Sequence, residues 1–184
     1  MLNEQFKIVQ MIGEGSFGKV YLAHDLYNNS KPVAIKTEST NASVSHLFKE
    51  IQNHHLLLAK GFPRLIKQGI NKQHCIMYIA TDLLGPSLCD LSVFCGGRFS
   101  LKTTLMLYYQ ILERLQYMHE KHLIHCDLKP ENIMMGMGDN SSVAHLIDFG
   151  LTRSVINPTT GNHIEFVRGK NLKGTICFVS INAH

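Results

Sequence analysis

The run His125-Cys126-Asp127-Leu128-Lys129-Pro130-Glu131-Asn132 places a carboxylate, an ammonium and a carboxamide in one short stretch, and Asp148-Phe149-Gly150 follows sixteen residues after Asn132. Asp127 can orient a hydroxyl and accept its proton, and Lys129 can reach a moving phosphoryl group. Asn132 and Asp148 offer the oxygen ligands that a hard cation such as Mg²⁺ prefers. Together these are the parts that phosphoryl transfer from a nucleotide to a hydroxyl requires. Alone, Asp148-Phe149-Gly150 would read as a β-turn after a strand, and only the company of Asp127 and Asn132 makes it a metal-ligand candidate. His125 reads as a structural histidine rather than a base.

A second constellation lies nearer the N-terminus. Gly13-Glu14-Gly15-Ser16-Phe17-Gly18-Lys19-Val20 has the glycine spacing of a phosphate-covering loop, in which backbone can approach an anion closely. A dinucleotide-binding fingerprint would need a helix directly afterwards, but Lys19–Ala23 has strand character. A Walker A loop would need Gly-Lys-Ser or Gly-Lys-Thr, which is missing. Val33-Ala34-Ile35-Lys36 then ends an apolar strand on a lysine, which is costly to bury without a partner. Glu50 is the sole acidic residue of the helical segment that follows, and so is the partner candidate.

These residues need elements to hold them. Phe6, Ile8, Gln10 and Ile12 alternate roughly, Val20–Ala23 and Pro32–Lys36 form two more strands, and Asn28-Asn29-Ser30-Lys31 is a hairpin turn by composition. Residues 43–59 switch to a helical period, with Val44, Leu47, Phe48, Ile51 and His55 on one stripe, ended by Gly61 and Pro63. Leu65–Gly69 and Cys75–Ala80 read as strands. After Gly85-Pro86 the chain turns mainly helical: Ser87–Phe94, then a longer helix capped by Ser100 and running to about residue 120. Its predicted stripe is Leu101, Leu105, Tyr108, Tyr109, Leu112, Leu115 and Met118. A hairpin of Ile133–Met135 and Ala144–Ile147 precedes a long stretch from Gly150 with no predicted element. The fold class is α+β, with an N-terminal antiparallel sheet and one helix over residues 1–84 and a mainly helical portion over 85–184.

Composition narrows the rest. The 184 residues are 45% apolar and 17% charged, a folded balance, and the formal charge of +4 is too small to argue for nucleic acid. The five cysteines have no Cys-x-x-Cys spacing and predict reduced thiols rather than zinc. No signal peptide, apolar span or myristoylation signal is present, so the expectation is a soluble protein of cytoplasm or nucleus that needs no membrane.

At this point the chain resembles the eukaryotic protein kinases, and within them the casein kinase 1 family most. The specific marks are Leu83-Leu84-Gly85-Pro86-Ser87-Leu88, Asn171-Leu172-Lys173-Gly174-Thr175, and Ser180-Ile181-Asn182-Ala183-His184. The resemblance implies ATP and Mg²⁺ as cofactors and protein substrates with Ser or Thr acceptors, acidic ones among them. It implies that Ile12 through Val20 cover ATP, that Lys36 holds the α- and β-phosphates with Glu50 as its helix partner, and that Asp82 and Leu84 read adenine through their backbone. Thr81 falls where a bulkier methionine is usual behind adenine. Asp127 and Lys129 become the catalytic pair, and Asn132 and Asp148 the metal ligands. Cys126 replaces the usual arginine before the aspartate. The resemblance also implies helices after Ser180–His184 that this sequence does not supply. The expectation is therefore an incomplete helical lobe, an exposed Leu101–Met118 stripe that a partner could cover, and an inactive, pseudokinase-like nucleotide-binding module or fragment as the alternative to an active serine/threonine kinase.

Overall fold

The structure, a computed structural model, describes residues 1–15, 18–42, 45–165 and 172–181. Ser16, Phe17, Val44, Asn171, Asn182, Ala183 and His184 lie outside the described residues.

Two lobes meet at a cleft. The first is an antiparallel sheet of β1 (Phe6–Gly15), β2 (Gly18–Asp25), β3 (Lys31–Ser39), β4 (Leu65–Asn71) and β5 (Ile76–Asp82), ordered β1-β2-β3-β5-β4. The turn between β2 and β3 closes with Lys31 N–H donating to Asn28 C=O at 2.9 Å. Asn29 and Ser30 both have positive φ, as a primed hairpin turn demands. The even alternation expected along β1 is broken: its register against β2 shifts between Ile8 and Gln10 and again between Met11 and Gly13. Each bulge moves the side-chain pattern to the other face, which leaves Val9, Met11 and Ile12 exposed.

Helix α1 (His46–His54) packs on β5 through Leu47, Ile51 and Ile79. It is shorter than the expected 43–59 and its buried face differs. Phe48 and His55 are exposed, whereas Glu50, Asn53 and His54 are buried beside Leu47 and Ile51. The helix ends early because Leu57 is drawn into the core of the other lobe with Phe62, Phe149 and Met118. Burying one such leucine contributes roughly 1.5–3 kcal/mol, more than one further helical turn of exposed residues would.

The second lobe holds α2 (Leu88–Phe94), α3 (Leu101–Glu120), β6 (Leu123–Ile124), β7 (Ile133–Met135), β8 (Ala144–Leu146) and β9 (Arg153–Ser154). Ser87 caps α2 in a reciprocal capping box with Asp90, and the Ser100 side chain caps α3. Helix α3 is apolar on two faces. Leu107, Ile111, Leu115 and Met118 pack on the core, while the predicted stripe at Leu101, Leu105, Tyr108, Tyr109 and Leu112 remains exposed. The β6–β9 pair and a 3₁₀ turn at Ile176–Phe178 lie where no element was expected.

Candidate active site

Strand β3 decides which lysine meets the cleft. Val33 and Ile35 are fully buried in the sheet's outer core, so Ala34 and Lys36, on the opposite face by the strand's period of two, line the cleft. Two residues on, Glu38 reaches the N-terminus of α1. Its carboxylate accepts from Ser45 Oγ at 2.6 Å, His46 N at 3.1 Å and Leu47 N at 3.0 Å. The first turn of α1 holds no acidic residue, and β3 supplies the missing negative charge for the helix dipole. At the other end Asn53 Nδ2 donates to Phe149 C=O at 2.9 Å. With both ends pinned, α1 presents Glu50 to Lys36.

Lys36 Nζ lies 2.7 Å from Glu50 Oε2 and 2.8 Å from Asp148 Oδ1. Burial alone would lower the ammonium pKa, but Glu50 and then Asp148 outweigh it and hold Lys36 above the ordinary lysine range. Glu50 moves up as well, because burial disfavours its charge and Asp148 repels it, and together they outweigh the opposing pull of Lys36. Asp148 adopts φ 64°, a left-handed conformation that costs most residues energy but that aspartate tolerates.

The loop from His125 to Asn132 hangs on His125. Its Nδ1 accepts from Asp127 N–H at 3.2 Å, so its Nε2 carries the proton donated to Ile147 C=O at 2.9 Å. Burial lowers the His125 pKa, and the neutral ring is a strut, as the sequence implied. Asp127 is the hub. Its Oδ1 accepts from Thr175 N at 2.8 Å and Thr175 Oγ1 at 2.7 Å, and its Oδ2 lies 2.9 Å from Lys129 Nζ. Asn132 Nδ2 donates to Asp127 C=O at 2.9 Å and to its Oδ2 at 3.1 Å. Burial would raise the Asp127 pKa, but hydrogen bonds from Lys129 and Thr175 hold it below the ordinary carboxylate value. Lys129 Nζ also donates to Thr175 Oγ1 at 2.8 Å. Gly174 makes this approach possible: at φ 94° a Cβ there would lie 2.5 Å from Cys126 C=O.

A cleft of ≈590 Å³ gathers most of the expected residues. Ile12, Gly13, Glu14, Gly15, Gly18 and Val20 cover it, and Lys36 and Glu50 stand at its back. Thr81, Asp82 and Leu84 line the connection between lobes, while Asp127, Lys129, Asn132 and Asp148 form the floor. Gly18 is irreplaceable there, since a Cβ at φ 134° would run into Thr37 C=O. Lys19 stands apart from this set, exposed, with its Nζ 3.4 Å from Glu14 Oε1. Ser16 and Phe17 are outside the described residues. Reading by motif missed the supporting residues Glu38, Asn53 and His54. Thr175 stood only among the family marks, and the glycine before it is the one local signal for its position.

The donor chemistry fits a magnesium nucleotide. Among the described residues no three His, Cys, Asp or Glu side chains converge on a metal position. Asp148 and the amide oxygen of Asn132, whose Nδ2 is committed to Asp127, would give two oxygens. That suits a cation that keeps several waters and takes its remaining ligands from phosphates. A family model described as the protein kinase domain matches residues 6–180.

Proposed function

The chain belongs to the protein kinase domain family, an ATP-binding serine/threonine kinase domain, and we propose that it is an active kinase of the casein kinase 1 type. The observation that carries activity is the shared carboxylate of Asp127, held ionised between Lys129 and Thr175 in the same cleft as the Lys36–Glu50–Asp148 cluster. A module that only bound nucleotide would have no use for that arrangement. The casein kinase 1 type rests on the sequence marks at Leu83–Leu88 and Gly174-Thr175.

Bound MgATP would supply the phosphoryl group and the cation that neutralises its oxygens. Lys36 would hold its inner phosphates, Asp148 and Asn132 its metal, and the backbone of Asp82 and Leu84 its base. Asp127 orients the incoming Ser or Thr hydroxyl and accepts its proton late in the transfer. Thr175 keeps that carboxylate facing the acceptor, and Lys129 offsets negative charge beside it. The test is phosphoryl transfer to an acidic, casein-like protein, followed by identification of the modified residues. Phosphoserine or phosphothreonine is the expected product. Nucleotide binding without transfer to any protein would support the inactive-module reading instead.

Asp148→Ala is expected to weaken Mg²⁺-dependent ATP binding as well as turnover, because it removes a ligand rather than a proton acceptor. Titrating Mg²⁺ at fixed ATP checks this, and an unchanged metal dependence would remove Asp148 from the ligand set. The adenine register has its own test. Thr81 lines the cleft where adenine would meet β5. Thr81→Met should weaken N6-benzyl ADP more than ADP, by on the order of 1–3 kcal/mol, the cost of overfilling a packed site. Equal losses for both nucleotides would show that Thr81 does not face the N6 edge.

A further inference from the structure

Gln110, Glu113, Arg114 and Tyr117 fall at i, i+3, i+4 and i+7 along α3 and so share one face. Two other segments close on that face. Gln110 Oε1 accepts from Ala144 N–H at 2.9 Å and its Nε2 donates to Ser142 C=O at 3.1 Å, which ties the turn before β8 to α3. The segment between α1 and β4 crosses beside it: the Phe62 ring packs on Tyr117 with centroids 5.6 Å apart. Gly61, at φ 91°, rides on the Arg114 side chain, which a Cβ there would run into. Between the three segments lies a groove of ≈610 Å³ that shares no lining residue with the nucleotide cleft. Phe62 and Val143 form its apolar floor, and Glu113 is the single acid in its lining. Its charge is not balanced. Arg114, 8% exposed, meets Glu113 Oε2 at 2.8 Å from Nη1, while Nη2 has only Gln110 Oε1 at 3.5 Å. Arg114 Nε is sealed without an acceptor, so this side chain brings its positive field to the groove rather than that nitrogen. Lys60 stands exposed on the rim with no ion pair among the described residues. Lys121 adds a third cation, its Nζ 5.6 Å from the centre of the Tyr117 ring.

We propose that this groove docks an acidic, extended segment of a protein substrate, with carboxylates beside Lys60, Arg114 and Lys121 and an apolar side chain against Ala59 and Tyr117. Charge complementarity selects the partner, since three cations against one carboxylate attract an acidic chain and repel a basic one. The apolar floor and the half-buried Ala59 and Tyr117 select a peptide over an inorganic polyanion, which has nothing to lay on them. Because groove and cleft share no residue, a substrate held here keeps its acceptor hydroxyl free to reach Asp127 through the intervening chain. Docking then raises the local concentration of the acceptor and leaves the transfer step unchanged. Naming the partner a substrate rests on the proposed kinase activity; the binding of an acidic segment does not.

Fluorescence anisotropy on the purified chain tests the docking, with a labelled peptide of Asp and Glu around one Phe, free of hydroxyl residues, as the probe. The parent should bind it, and a counterpart with Asn and Gln in place of the acids should bind about 10-fold weaker or less. Lys60→Glu turns an attraction at the rim into a repulsion without disturbing the packing, and should weaken the acidic peptide on the order of 5–10-fold. Lys121→Glu should act in the same direction, and the double variant should lose more than either. Saturating ADP should leave the peptide's affinity unchanged. No binding by the parent, equal affinity in parent and variants, or displacement of the peptide by ADP would overturn the site. Kinetics then test whether the partner is a substrate. For an acidic protein whose acceptor lies outside its acidic segment, Lys60→Glu should raise KM by a similar factor and leave kcat alone. For a short acceptor peptide without that segment it should change neither, and an equal rise in KM for both would place Lys60 at the acceptor site and overturn docking. A chain that binds the peptide as described but transfers phosphate to no protein would overturn the kinase reading and support the groove as a site for acidic segments.

Discussion

Asp127→Asn is expected to reduce phosphoryl transfer by about 10²–10⁴-fold, the range for loss of a positioned proton acceptor. Asparagine retains the size of the side chain and an oxygen for Thr175, so the loop that now rests on Thr175 N and Oγ1 keeps its anchor. It removes the negative charge that faces Lys129 at 2.9 Å and cannot take up a proton at neutral pH. Nucleotide affinity should change little, since Asp127 contributes no phosphate contact in this reading and its effect would lie in the transfer step. Calorimetry with ADP and single-turnover transfer on the same preparation separate the two quantities. Turnover equal to that of the parent would exclude Asp127 as acceptor. The pH dependence follows from the lowered pKa. A depressed carboxylate contributes stability above its unfolded value of ordinary aspartate and loses it as pH falls through the lower folded value. The parent should therefore keep Asp127 ionised through the whole neutral range and into mild acid.

Lys36→Met is expected to cost both binding and stability. The methionine leaves Glu50 and Asp148 side by side with no cation, after the parent held them at 2.7 and 2.8 Å from one ammonium. Breaking a fully buried pair costs about 3–5 kcal/mol, and partial solvent access to Lys36 and Asp148 brings the expectation to roughly 2–4 kcal/mol. The loss should depend on pH. Without Lys36, burial and Asp148 push the Glu50 carboxyl further up, so the folded state holds a proton that the unfolded state has released. Stability of the variant then falls as pH rises from the unfolded glutamate value through the raised folded one. Urea unfolding at pH 5.5 and pH 8 checks the sign: the variant should be closer to the parent at the lower pH. Adding Glu50→Gln to Lys36→Met should recover part of the loss at pH 8. A deficit independent of pH would show that apolar packing, not the stranded carboxylates, carries the effect.

The sequence by itself determined the chemistry-bearing residues, because their types and order are local facts. Asp127, Lys129 and Asn132 sit within one loop, and the glycines and Lys36 sit on strands whose ends are marked by turns and apolar runs. It also determined that α2 and α3 begin at Ser87 and Ser100, since a capping serine acts within its own turn. The partner of Lys36 was legible because the helix after β3 carries a single acid. What the tertiary structure decided involves partners far apart in the chain. Glu38 caps α1 from a strand, Asn53 ties α1 to Phe149, and Thr175 meets Asp127 across 48 positions. The buried face of α1 could not be read from its apolar stripe, since Glu50, Asn53 and His54 are buried by their roles at the cleft. On α3 the period fits two apolar faces equally well, and only packing against Phe149 and Leu146 selects the one through Leu107, Ile111 and Met118. The two-residue strands β6 and β9 carry no periodic signal and exist because the stretch just before His125 and the segment after Gly150 are held side by side. Hydrogen bonds between distant segments are fixed by assembly of the lobes, and no local pattern encodes them.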